Sequence, residues 1–229
     1  MAGSPDDALL RLRDRPFVFV DDLDHPELDD ADRHHLERSL RLRPGAAITI
    51  ADGAGRWRPA RLGLALSVDG EIETEGRPGP PLTVGFAPVK GDRSDLVVQK
   101  LTELGVDEIV PLLSIRSVVR WEGDRAAKQL ARHRRIVREA AMQSRNPWLP
   151  IVHPQTPLPA FLDAGAGTVV ADPAGPPLAG PVRRIAVGPE GGFASEEVDG
   201  RTLVGLPGRI LRTETAAIAA AVLAVSARS

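Results

Sequence analysis

Near the end of the sequence, an apolar segment runs directly into a glycine-rich turn that carries one carboxylate. Residues 185–187 are Ile-Ala-Val, and residues 188–192 are Gly-Pro-Glu-Gly-Gly. Glycines let backbone groups approach a ligand closely, and in open α/β sheets ligands bind beyond the carboxyl ends of strands. The turn lacks the lysine and hydroxyl residue of a P-loop, and the charge of Glu190 would repel phosphates. The sequence therefore predicts a site for a cationic or hydroxyl-bearing ligand, with a plain tight turn as the alternative.

A second polar cluster, Leu211-Arg-Thr-Glu-Thr-Ala216, precedes an alanine-rich segment predicted to be helical over 216–225. Thr213 or Thr215 could cap that helix, and Glu214 suits its positive end. A helix cap needs only one such residue. Four consecutive polar residues therefore indicate a second ligand-binding loop, although a simple cap remains the alternative.

The second half of the chain must position these loops, and its pattern alternates strands with helices. Helices are predicted over 92–104, 126–144 and 216–225, and strands over 82–86, 107–113, 168–171 and 184–187. Such alternation predicts an α/β fold with a mostly parallel sheet covered by helices on both faces.

The first half has short strands, tight turns and one helix predicted over 29–42, with Asp29 or Asp30 as its cap. The predicted strands are 16–20, 47–51, 57–62, 64–68 and 71–75. This pattern indicates a small β-barrel, and the Gly/Pro-rich segment 76–81 has the composition of a linker.

Composition excludes several function classes. The 229 residues include no cysteine, which rules out disulfides, thiolate metal sites and cysteine nucleophiles. The five histidines lack metal-ligand spacing and are interpreted as structural. A net charge of -2 means that any RNA-binding surface must be a local basic patch. Residues 1–15 lack the apolar core of a secretory signal, and the apolar run 216–227 is too short to span a membrane, so a cytoplasmic protein is expected.

The two polar loops together resemble the SPOUT class of RNA methyltransferases and, more narrowly, the RsmE family, which methylates N3 of a uridine in bacterial small-subunit ribosomal RNA. The resemblance extends from about Pro16 onward. Further matching segments are His34-His35 with Leu40–Arg43, then Ala51–Gly53, Lys90–Asp92, Gln99–Gly105 and Glu139–Arg145.

The resemblance implies a PUA-like RNA-binding β-barrel over 1–77 and a SPOUT methyltransferase domain over 78–229. It also implies a C-terminal trefoil knot, a homodimer and S-adenosylmethionine as the cofactor. The cofactor would be held in a bent shape by three loops, which here match residues 170–172, 188–192 and 206–216. The matching cofactor-binding residues are Ala171, Gly188, Pro189, Glu190, Gly191, Gly192, Leu206, Leu211, Arg212, Thr213, Thr215 and Ala216. The apolar residues Ile218, Val222, Leu223 and Val225 of the last helix are the candidate dimer surface, with core packing in a monomer as the alternative.

Two departures from the family pattern affect the site. The segment between Phe193 and Leu206 is several residues shorter than usual, so the helix after the Glu190 turn is predicted to be truncated or lost. The usual Gly-Pro before the arginine of the third loop is inverted to Pro207-Gly208, which changes the expected backbone there.

Methyl transfer from a sulfonium requires positioning, and neither a metal nor a covalent intermediate. We assign Arg212 to stabilising negative charge on the uracil oxygens, and Glu190 and Glu214 are the candidate bases. The alternatives are methylation of a ribose 2′-hydroxyl, and a ribosome-assembly protein that binds RNA without catalysis.

Basic residues on the helix over 126–144, on the barrel and in the matching segments are the candidates for contact with 16S ribosomal RNA or the small ribosomal subunit. The alternative for the helix is a solvated surface, and the alternative for the barrel is turn arginines around a half-buried Trp57. The candidates are Arg41, Arg43, Arg58, Lys90, Arg93, Arg132, Arg135, Arg138 and Arg145.

Overall fold

The computed structural model describes residues 14–228, which divide into two compact units. The first unit ends at Gly76 and also includes Ala141–Leu149, and the second contains Arg77–Ala140 and continues from Pro150. Residues 1–13, which fall in the segment predicted to lack a secretory signal, lie outside the described residues.

The first unit is built on a five-stranded sheet. Its strands are β1 (Phe17–Phe19), β2 (Ala47–Ala51), β3 (Arg56–Arg61), β4 (Ser67–Val68) and β5 (Glu73–Thr74). β1 pairs in parallel with β2, and the other pairs are antiparallel. Alternate residues of β1 enter two different cores, Val18 with Ile48 and Ile50, and Phe17 with Trp57. Both faces of the sheet are therefore covered.

β4 and β5 are shorter than the strands predicted over 64–68 and 71–75, which is a correction to the sequence interpretation. Both pair with β3, on either side of Pro59. Proline has no N–H to donate, so the ladder is interrupted at that point. The side chain of Arg58 also donates a hydrogen bond from Nε to the carbonyl of Gly70, at 2.9 Å.

The helix predicted over 29–42 is divided. α1 (Asp30–His34) is followed by a π-helical turn at His35–Ser39 that ends the segment earlier than expected. Asp29 is the cap, as predicted, because its side chain accepts from the backbone N–H of Asp32 at 2.6 Å.

The second unit is built on a sheet in which every strand pair is parallel, in agreement with the predicted mostly parallel sheet. Its strands run in the order β12-β10-β11-β6-β7-β8, and β9 also pairs with β7. Of these, β8, β9 and β12 were not predicted. The strands are β6 (Thr83–Phe86), β7 (Glu108–Leu113), β8 (Ile151–Val152), β9 (Thr156–Pro157), β10 (Thr168–Ala171), β11 (Arg184–Val187) and β12 (Thr202–Val204).

Five helices accompany these strands. α6 packs against α2, β6 and β11, whereas α4 packs against β7 and β9. The four-residue α5 confirms that the helix after the Glu190 turn is truncated. No helix in the described part of the chain is long and apolar enough to cross a membrane. The helices are α2 (Arg93–Glu103), α3 (Gly123–Ser144), α4 (Leu158–Asp163), α5 (Ser195–Val198) and α6 (Thr213–Ser226).

A buried carboxylate, Asp107, binds the segment that follows the C-terminal end of α6. Asp107, whose side chain is 8% exposed, accepts from Arg77, from the backbone N–H of Leu82 at 2.8 Å, and from Arg228 at 2.7 Å. The Arg228 side chain is 2% exposed and also donates to the carbonyl of Gly105 at 3.2 Å. Burial lowers the pKa of Arg228, so Asp107 supplies the charge that compensates this buried guanidinium.

His133 on α3 is buried, which fits its interpretation as a structural residue. It is fully buried beside Trp121 and Asp95, and burial lowers its pKa to about 4. The ring is therefore neutral at physiological pH. Among residues 14–228, no cluster of His, Asp and Glu is suited to hold a metal ion.

Candidate active site

The carboxyl ends of three neighbouring strands enclose a cavity. β12, β10 and β11 lie side by side and run in the same direction, so the loops that follow them meet at one edge of the sheet. The cavity measures about 340 Å³, which is within the range of small-molecule sites. It is lined by Ala171, Asp172, Pro173, Val187, Gly188, Pro189, Glu190, Gly192, Leu206, Gly208, Arg209, Ile210, Leu211, Thr213 and Ala216.

Nine of the twelve predicted cofactor residues line this cavity. The other three do not: Gly191 and Thr215 are exposed outside it, and Arg212 faces a neighbouring cleft. Six lining residues were not among the twelve named candidates. Asp172, Gly208, Arg209 and Ile210 fall within the implied cofactor loops 170–172 and 206–216, whereas Pro173 and Val187 lie outside all three loops. Pro173 follows the end of β10, so the rule that ligands bind at strand ends could have identified it.

The loop Gly188–Gly192 is held by residues from distant parts of the chain. Thr213 donates from Oγ1 to the carbonyl of Gly188 at 3.0 Å, and Arg116 donates to the carbonyl of Gly191 at 2.8 Å. Gly192 has φ of +67°, a left-handed conformation that closes the turn with a bond from its N–H to the carbonyl of Pro189 at 2.8 Å. The loop is therefore preformed.

The first turn of α6 differs from the predicted capping. Arg212 occupies the cap position and makes no side-chain cap bond, so the interpretation of Thr213 or Thr215 as the cap was wrong. Thr213 uses its hydroxyl to bind the Gly188 carbonyl. At the start of the helix, Thr213 therefore stabilises the Gly188–Gly192 loop.

Two backbone segments run parallel in close contact, next to the cavity residues Pro173 and Leu206. The N–H of Gly205 donates to the carbonyl of Pro176 at 2.6 Å, and the N–H of Leu178 donates to the carbonyl of Gly205 at 2.9 Å. A Cβ atom at Gly205 would lie 2.6 Å from the carbonyl oxygen of Gly175, and one at Gly175 would lie 2.6 Å from the nitrogen of Val204. Only glycine allows the segment after β10 to lie this close to the end of β12.

A more open cleft of about 540 Å³ adjoins the cavity and shares Glu190, Ile210 and Leu211 with it. Arg93 and Arg212 complete its lining. Ile210 is 88% exposed, which is unusual for a large apolar residue. Arg212 makes no side-chain hydrogen bond or ion pair with any of residues 14–228, so its charge is available to a ligand in the cleft.

The two candidate bases share one partner. Nη1 of Arg93 lies 3.0 Å from Glu190 Oε1 and 3.4 Å from Glu214 Oε1. Glu190 lines both the cavity and the cleft, whereas Glu214 is buried and lines neither. The hydrogen bond to Glu190 raises the pKa of Arg93.

The predicted RNA-binding residues fall into two groups. Arg41, Arg43, Lys90 and Arg135 are exposed at the surface, and Arg135 has only a long contact, 3.7 Å, to Glu139. The remaining five are engaged within the protein or partly buried. These are Arg58 (bound to Asp24 and Gly70), Arg93 (to Glu190 and Glu214), Arg132 (to Asp95), Arg145 (to Gln143) and the half-buried Arg138.

The chemistry of the lining fits a ligand that is partly apolar and carries a positive charge. Val187, Leu206 and Leu211 offer apolar surface, while Asp172 and Glu190 add carboxylates. Arg209 is the one cation among the residues that line the cavity. The adjoining cleft, which is lined by the unpaired Arg212, suits an acceptor on which negative charge develops.

Comparison with family models places both halves of the chain among RNA-modifying proteins. Residues 77–225 match the RNA methyltransferase domain, and residues 28–64 match the RNA methyltransferase PUA domain.

Two curated relatives carry the same name, ribosomal RNA small subunit methyltransferase E. The protein from Mycobacterium tuberculosis is 33% identical over 233 residues, covering 84% of this chain and 83% of its own length. The protein from Bacillus subtilis is 31% identical over 217 residues, covering 80% and 82%.

Solved structures agree with the sequence matches. The ribosomal RNA small subunit methyltransferase E from Neisseria gonorrhoeae, bound to S-adenosylmethionine, superposes with a TM-score of 0.79 at 32% identity, covering 90% of this chain and 95% of that one. A Legionella pneumophila protein solved with the same cofactor gives a TM-score of 0.82 at 25% identity, covering 93% and 98%.

Proposed function

The chain belongs to the RsmE family of ribosomal RNA small subunit methyltransferases, and on that premise we propose that it methylates N3 of a uridine in bacterial 16S ribosomal RNA with S-adenosylmethionine as the donor. The predicted family, the RNA methyltransferase activity and the cofactor are confirmed by these relatives. The observation that carries the proposal is the cavity at the ends of β12, β10 and β11, because it contains nine of the predicted cofactor residues.

The cavity fits S-adenosylmethionine in size and in chemistry. Apolar side chains and close backbone groups suit an adenine ring, and carboxylates suit ribose hydroxyls and a positively charged group. Gly188, Gly192 and Leu211 would contribute backbone groups, and Asp172 and Glu190 would contribute carboxylates. Bound there, the cofactor supplies the methyl group: its sulfur–carbon bond breaks as a nitrogen–carbon bond forms, and S-adenosylhomocysteine leaves.

The residues of the open cleft act on the acceptor base. The uridine N3 must lose its proton, and the negative charge then spreads to the flanking carbonyl oxygens. Arg212 is unpaired within residues 14–228 and faces the cleft, so its guanidinium can donate to those oxygens. Of the two candidate bases, Glu190 alone lines the cleft and can reach the acceptor, whereas the buried Glu214 cannot.

We assign RNA binding to the PUA-like domain over 1–77 and methyl transfer to the domain over 78–229. The exposed Arg41, Arg43, Lys90 and Arg135 keep their assigned role as phosphate contacts. A ribosomal substrate also supports the expected cytoplasmic location. We retain the trefoil knot implied by the family.

We propose a homodimer formed through α6. Val222 is 43% exposed, and Ile218, Leu223 and Val225 are each partly exposed on the same helix. Apolar surface of this kind favours burial against a second copy. Light scattering at micromolar concentration should give the mass of a dimer, and Val222→Asp should shift it toward the monomer. Val118→Asp, at an exposed valine in a loop away from α6, is the control. A wild-type monomer would contradict the proposal.

Nucleoside mass spectrometry tests the function. We expect the purified protein, given S-adenosylmethionine and small subunits from a strain that lacks this modification, to produce 3-methyluridine in 16S ribosomal RNA. Gly192→Val should abolish cofactor binding in calorimetry, because a β-branched residue is strained at φ of +67° in the cavity wall. Detection of a 2′-O-methylated nucleoside would instead support ribose methylation, and absence of both cofactor binding and product would support a non-catalytic RNA-binding protein.

A further inference from the structure

Arg93 joins three segments that are far apart in the sequence. It lies at the start of α2, and its Nη1 contacts Glu190, 97 residues away, and Glu214, 121 residues away. Glu190 belongs to the loop that closes one side of the cavity, and Glu214 to the first turn of α6. Arg93 therefore connects both cofactor loops through charge-assisted hydrogen bonds.

The buried carboxylate of Glu214 depends strongly on its contact with Arg93. The Glu214 side chain is 11% exposed, and its Oε2 atom is buried with no hydrogen-bond partner among the described residues. A buried carboxylate is costly unless a positive group compensates it. The start of α6 contributes a partial positive charge, and Arg93 contributes the full one.

We propose that Arg93 is a positioning residue for the cofactor, which holds the Gly188–Gly192 loop against the first turn of α6 and thereby sets the shape of the cavity. This changes its assignment from RNA binding, because the guanidinium is already engaged by two carboxylates. The inference rests on the cofactor binding proposed above. It adds a residue of α2 that does not line the cofactor cavity itself.

The test separates cofactor binding from RNA binding. In Arg93→Ala, we expect the KM and Kd for S-adenosylmethionine to rise by roughly 10- to 100-fold, as for loss of hydrogen bonds to charged groups. The affinity for 16S ribosomal RNA should stay within a few-fold of wild type. Arg93→Lys keeps the charge and should recover part of the loss. Lys100→Ala removes an ion pair to Glu103 on the same helix and should change nothing.

Rescue by a second substitution identifies the mechanism. Glu214→Gln removes the charge that Arg93 compensates, so Arg93→Ala/Glu214→Gln should bind cofactor several-fold better than Arg93→Ala alone. If Arg93→Ala does not fold, the double variant is compared with Glu214→Gln instead. A lower cofactor affinity in the double variant than in Glu214→Gln would then support the role of Arg93 through Glu190. Unchanged cofactor affinity together with weakened RNA binding would overturn the inference. Failure of the wild type to bind the cofactor would overturn the proposed function instead.

Discussion

Replacing Arg212 with alanine is expected to reduce methyl transfer to 16S ribosomal RNA by on the order of 10²–10³-fold, the usual effect of removing one donor to a developing oxyanion. Affinity for S-adenosylmethionine should stay within a few-fold, because Arg212 lines the open cleft and not the cofactor cavity. The cofactor is positively charged at sulfur, so an arginine directed at it would weaken the ground state. Single-turnover kinetics with saturating cofactor, combined with calorimetry, measure the two quantities separately.

Arg183→Ala is a matched control for Arg212→Ala. Arg183 is also exposed, but it precedes β11 and so lies at the amino end of the strand, opposite the cofactor loops. Its replacement should leave both rate and affinity unchanged. Normal methylation by Arg212→Ala, or a loss explained entirely by failure to bind the cofactor, would show that the assigned role is wrong.

Replacing Asp107 with alanine is expected to lower the free energy of unfolding by about 3–5 kcal/mol, the usual effect of removing one partner of a buried ion pair. The substitution leaves the buried guanidinium of Arg228 without its counter-charge and removes the acceptor for the N–H of Leu82. Chemical denaturation followed by circular dichroism measures the change. Because Arg228 lies two residues after the end of α6, we also expect the helix to lose protection from hydrogen exchange.

Asp163→Ala gives the corresponding exposed pair as a control. Asp163 and Arg201 form an ion pair at the surface, so removing this pair should lower the free energy of unfolding by at most about 1 kcal/mol. In Asp107→Leu/Arg228→Leu both charges are absent, and this variant should be more stable than Asp107→Ala. Equal effects of Asp107→Ala and Asp163→Ala would contradict the argument from burial.

The parallel sheet and most of the cavity could be predicted because their signals are local. The strands at 47–51, 168–171 and 184–187 have the predicted bounds, since short apolar runs between turns are sufficient to define them. The rule that ligands bind at strand ends then placed Gly188 and Glu190 correctly in the cavity wall. The family resemblance supplied the cofactor and the substrate.

The features that sequence reasoning missed depend on contacts between distant residues. β12 has three residues and no marked apolar pattern, and it exists because β10 offers a free parallel edge. Arg93 and Arg58 are arginines of ordinary sequence context, and only folding brings carboxylates to them. Thr213 looked like a cap because local spacing cannot reveal a carbonyl 25 residues away.

The contact between Gly205 and the segment 175–178 also has a kinetic consequence. It closes the intervening chain, which includes β11 and the Gly188–Gly192 loop, into a ring. Loop closure costs conformational entropy before the native contacts compensate it, so a topology of this kind folds slowly. Residues of the cavity wall lie both within the ring and beyond Gly205. The cofactor therefore meets a complete site only on chains in which the ring has closed, and its binding draws the folding equilibrium toward those chains by mass action.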